Sequence, residues 1–105
     1  MQQIQQGDVT FERVARMPSR GTVINPSARG YVVAEGEATG HAHVIDEQSV
    51  LEMREVDGVL YARIAAPAQA LHEEHKPVDL APGIWKIGRV QEYDHFAEEA
   101  RTIAD

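Results

Sequence analysis

The chain has 105 residues and a mass of 11.6 kDa, a length that suits one domain over residues 1–105 and buries roughly two thirds of the unfolded surface. Hydrophobic residues at 43% and charged residues at 26% match folded globular usage and exclude a disordered chain. Seventeen acidic against ten basic residues give a net charge of -7, and no Lys/Arg-rich run reverses that field, so nucleic acid is not an expected partner.

There are no cysteines, which removes disulfides, thiolate metal ligands and cysteine nucleophiles together. Any metal must then use nitrogen and oxygen donors. Met1 to Gln6 lacks a basic start and an apolar stretch, and no later run reaches membrane-spanning length. No signal peptide and no membrane partner are expected, and the cytoplasm is the default location.

In chain order, residues 7–15 read as an opening strand with Val9 and Phe11 on one face and Thr10 and Glu12 on the other. Residues 17–29, with Pro18, Gly21 and Pro26, read as loop. Residues 31–45 alternate over a long span: Val32, Ala34, Ala42 and Val44 share one face, and Tyr31, Val33, His41, His43 and Ile45 share the other. Gly30, Gly36 and Gly40 predict that this span is two strands joined at a bend.

Asp57-Gly58 is the dipeptide of a type I′ turn. The hairpin it predicts sets Glu52 opposite Arg63, Arg54 opposite Tyr61 and Leu51 opposite Ile64, with Leu51, Met53, Leu60, Ala62 and Ile64 toward the core. Residues 67–77 have helix-forming composition after Pro67, but strand-rich surroundings favour an extended segment, which would turn His72 and His75 to opposite faces. Ala81-Pro82-Gly83 is a turn, and residues 84–93 form a last strand with Trp85 and Tyr93 as core or interface anchors. Phe96 to Ala104 suits a short helix with Phe96, Ala100 and Ile103 on one stripe. The fold class that follows is all-β: a small antiparallel β-barrel or roll with a short C-terminal helix.

Four of the five histidines fall in two clusters, His41-Ala42-His43 and His72-Glu73-Glu74-His75. On a strand, histidines at i and i+2 share a face and can converge on one ion. Adding His72 or His75 gives a site suited to a divalent transition metal: zinc first, then iron, nickel or copper. Glu73 and Glu74 are candidates for a ligand, for orienting an imidazole, or for a catalytic proton acceptor. The spacing of His72 and His75 lacks the zinc-protease pattern, in which the histidines are four apart. His95 reads as a capping or surface residue.

Gly36-Glu37-Ala38-Thr39-Gly40-His41-Ala42-His43, with Glu47 four residues on, resembles the first metal motif of cupins, and Ala81-Pro82-Gly83 resembles the turn of their second. The resemblance implies a β-barrel in which His41, His43 and Glu47 bind a metal. It departs where a histidine should follow the second glycine, since Ile84, Trp85 and Lys86 stand there, so His72 or His75 would have to replace that ligand. The chain also resembles small bacterial and phage proteins that share the Gly36–His43 and His72–His75 segments, which implies no particular activity. The function expected is metal binding in a small β-barrel, with two readings of what the metal does: the first is an enzyme that activates water or dioxygen on a small-molecule substrate. The alternative is a non-catalytic binding or assembly module, a homo-oligomer with a structural metal or none.

Overall fold

Two antiparallel sheets share one hydrophobic core in the computed structural model, which describes residues 3–35 and 40–89. The strands are β1 (Gln3–Gln6), β2 (Val9–Val14), β3 (Thr22–Val23), β4 (Tyr31–Glu35), β5 (Ala42–Ile45), β6 (Val50–Val56), β7 (Val59–Ile64), β8 (Ala68–Leu71), β9 (Val78–Leu80) and β10 (Gly83–Arg89). A 3-10 turn, Glu47–Ser49, leads into β6. One sheet has the order β1-β2-β10-β7-β6-β3 and the other β4-β5-β8-β9. The expectation of an all-β chain holds. Among the described residues the strands do not close into a barrel: β1 and β3 are edges of the first sheet, and β4 and β9 edges of the second.

The core is built by alternation. Val9 and Phe11 of β2, Trp85 and Ile87 of β10, Ala62 and Ile64 of β7, and Met53 of β6 meet Tyr31, Ile45, Ala68, Ala70 and Leu80 from the four-stranded sheet. Trp85 is fully buried, and its indole N–H donates to the Ala81 carbonyl at 2.9 Å, satisfying the polar tip that burial would otherwise strand. That places it in the core, one of the two roles expected of it.

The Asp57-Gly58 hairpin has the predicted turn, with φ of 52° at Asp57 and 83° at Gly58, and its register runs from Val56 opposite Val59 to Glu52 opposite Arg63. Beyond that a bulge pairs Val50 with Ile64, so Leu51 is pushed outward and is 66% exposed. Leu51 is therefore not a core residue. Arg54 makes its ion pair with Glu52 of its own strand. The span 31–45 is two antiparallel strands, β4 and β5, with an irregularity between Val32 and Ala34.

The opening strand begins later than residue 7. Gly7-Asp8 is itself a two-residue turn, with Gly7 at φ 61°, that sets Gln6 opposite Val9 and adds β1 to the sheet. The expected terminal helix, Tyr93 and His95 lie outside the described residues. Among the described residues no helix is long and apolar enough to cross a membrane.

Candidate metal centre

Strand pairing delivers the two histidine clusters to one place. β5 and β8 pair antiparallel with Val44 opposite Leu71 and Ile45 opposite Ala70. Continuing that register sets His43 beside His72. β8 ends at Leu71, and the chain then bends before Pro77, which disfavours helical geometry at Lys76. The Glu74 N–H donates to His72 Nδ1 at 3.0 Å and closes the bend.

The extended reading of residues 72–75 is thereby corrected. Instead of facing opposite sides, His72 and His75 hold their rings 4.6 Å apart. His72 also lies 4.3 Å from His43 and 5.6 Å from His41, centre to centre, and His43 lies 5.9 Å from His75. Two imidazoles bound to one zinc at about 2.0–2.1 Å per bond have ring centres roughly 4.5 to 6 Å apart, close to these separations. Donor atoms of His41, His72 and Glu73 lie within 4.8 Å of one another.

His43 is the buried member, 4% exposed. Its Nδ1 meets Gln6 Oε1 at 2.9 Å, and its Nε2 lies 3.8 Å from Asp8 Oδ1. Burial holds the His43 pKa below the usual histidine value; His72, His75 and Arg89 push the same way and Asp8 opposes them. The ring is therefore neutral near pH 7, the state a metal ligand needs.

Two carboxylates at the cluster, Glu73 and Asp8, are each backed by an arginine. Glu73 accepts the Ala42 N–H on Oε1 at 3.0 Å, while its Oε2 lies 3.5 Å from Arg29. The Ala42 N–H, with Glu73's own N–H, holds this carboxyl below the usual carboxylate range, so it is ionised. Asp8 lies 3.5 Å from Arg89. Glu74 reaches His41 Nδ1 at 3.6 Å from an exposed position.

The expected site residues thus divide. His41, His43, His72, His75, Glu73 and Glu74 are brought together. Glu47 is exposed in the 3-10 turn beyond the opposite end of β5 from His41. Gln6, Gly7 and Asp8 were not among the expected residues, yet all three touch or adjoin the cluster: a Cβ at Gly7 would sit 2.7 Å from His75 Nε2. The available signal was the Gly-Asp turn dipeptide. A shallow concavity lined by Arg29, Ala42, Val44, Leu71, His72 and Glu73 opens beside the centre.

Residues 5–90 match the model of a domain of unknown function, DUF8820, and the chain belongs to that family. No curated protein and no solved structure matches the chain.

Proposed function

We propose that this member of the DUF8820 family is a metal-binding protein whose centre is formed by His41, His43, His72 and His75 with Glu73. The observation that carries this reading is that donor atoms of His41, His72 and Glu73 lie within 4.8 Å of one another, with the His43 and His75 rings packed against His72. An all nitrogen and oxygen donor set without cysteine suits zinc first, and iron, nickel or copper next. Magnesium and calcium, which prefer oxygen, suit it poorly.

The donors differ in readiness. His43 already offers Nε2. His72 accepts a hydrogen bond at Nδ1, so its neutral ring carries the proton on Nε2. Ligation by neutral His72 through either nitrogen requires the Glu74 N–H to release Nδ1, because a ring that binds through Nε2 carries its proton on Nδ1 instead, and this makes metal uptake a local rearrangement of the bend. The test is a zinc titration of untagged protein against a competing chelator. Tight binding in the parent chain that is lost in the His41→Ala/His43→Ala double variant supports the reading, provided the variant keeps its β-rich circular dichroism.

A catalytic role is favoured by the concavity beside His72 and Glu73, which leaves one side of the centre open to solvent. A divalent ion there would supply Lewis-acid activation of water or of a carbonyl oxygen. Where the histidines alone hold the ion, Glu73, kept ionised by the Ala42 N–H, is the chain's own proton acceptor. A cobalt-substituted sample separates the alternatives: a spectrum that responds to added small anions indicates an open coordination position, and one that does not indicates a structural site.

A further inference from the structure

Gln6 is a glutamine in a place where glutamine is uncommon, 3% exposed and on the strand that opens the chain. All of its amide's polar atoms are used. Its Nε2 donates to the Ala70 carbonyl at 2.9 Å and to the Lys76 carbonyl at 2.8 Å. Both partners are carbonyls and can only accept, so the amide cannot flip without setting its oxygen against them. Oε1 is therefore the atom that faces His43 Nδ1 at 2.9 Å. An amide oxygen only accepts, so Nδ1 must carry the proton.

The consequence falls on the other ring nitrogen. A neutral imidazole protonated on Nδ1 has its lone pair on Nε2, the atom that points away from Gln6 toward Asp8. The partner on the second ring nitrogen sets both the tautomer and the ring orientation of a histidine that ligates a metal. Ala70 ends the register that aligns β8 with β5, and Lys76 follows His75, so the same amide also ties down both sides of the bend carrying His72 and His75.

We propose that Gln6 is the positioning residue of this centre, selecting the His43 tautomer that presents Nε2 as a ligand and holding the His72–His75 bend against it. The part concerning metal affinity rests on the metal-binding reading; the tautomer part does not. Gln6→Met removes every hydrogen bond at similar size, whereas Gln6→Glu keeps an acceptor toward Nδ1 but loses both donations to the Ala70 and Lys76 carbonyls.

The experiment has two readouts on the full chain. Long-range proton–nitrogen NMR of the metal-free protein reads the His43 tautomer, and zinc competition reads affinity, with thermal melting recorded for each variant. The parent chain is expected to show His43 protonated on Nδ1, Gln6→Met to lose that preference with roughly 10- to 100-fold weaker zinc binding, and Gln6→Glu to keep the Nδ1 tautomer while its melting temperature falls with the two lost donations. Protonation on Nε2 in the parent chain overturns the proposal, as does an unchanged Nδ1 tautomer in Gln6→Met. If the parent chain binds no metal, the metal-binding reading fails while the tautomer of Gln6→Met still decides the role of Gln6.

Discussion

His72 and His75 hold their rings 4.6 Å apart and tilted by 42°, although only two residues separate them. A strand would have placed them on opposite faces, and the bend closed by the Glu74 N–H on His72 Nδ1 removes that alternation. His72 touches three histidine rings, His75 two. His72→Ala should therefore lose more zinc affinity than His75→Ala, and more than the roughly 10- to 100-fold typical of losing an outer partner. Chelator competition on the two variants side by side checks this, and a smaller loss for His72→Ala would contradict it.

Gly7 is constrained twice, by a left-handed φ of 61° and by His75, whose Nε2 would lie 2.7 Å from an added Cβ. Gly7→Ala should cost about 1 to 3 kcal/mol and also displace the His75 ring. Melting temperature and zinc affinity should fall together. A variant with parental affinity would show that His75 does not depend on the turn.

Gly58 makes the useful contrast. Its φ is 83°, but nothing lies within 4 Å of the position an added Cβ would take. Gly58→Val should cost on the order of 1 to 3 kcal/mol through backbone strain alone. Denaturant midpoints should drop while zinc affinity stays at the parental value, because the Asp57-Gly58 turn belongs to the β6–β7 hairpin and none of the cluster residues lies on it. An unchanged midpoint would contradict the strain argument.

How much of this was readable beforehand follows the range of each interaction. Asp57-Gly58 is a local signal, since both residues need positive φ and their identities announce it. The clusters His41/His43 and His72/His75 could be paired on paper because imidazoles so spaced have few other uses. Leu51 failed because a bulge is decided by how β6 meets β7, and alternation alone sends that residue inward. β1 was missed because Gln3-Ile4-Gln5-Gln6 has little strand character, and its place comes from pairing with β2. Gln6 stayed hidden for a tertiary reason: its partners are Ala70, Lys76 and His43, none closer than 37 residues along the chain.

The depressed pKa of His43 has a stability consequence in metal-free protein. The folded ring resists protonation below the unfolded value of 6.5, so the unfolded state takes up the proton first as pH falls. The contribution of neutral His43 is fully present above that value and is lost as pH drops through it toward the folded pKa. Urea midpoints in the presence of chelator should therefore fall from pH 7.5 to pH 5.5, about one unit to either side of the ordinary histidine pKa, and less steeply in His43→Asn. Equal slopes would assign the effect to other groups.

Zinc titration of untagged protein followed by histidine side-chain NMR tests the central claim most directly, because it reads binding and identifies the ligands in one experiment. The account predicts saturable binding in which His41, His43, His72 and His75 shift together, with the His43 Nε2 resonance moving while Nδ1 stays protonated. Failure to bind, or binding that leaves the His43 and His72 resonances unmoved, would contradict it.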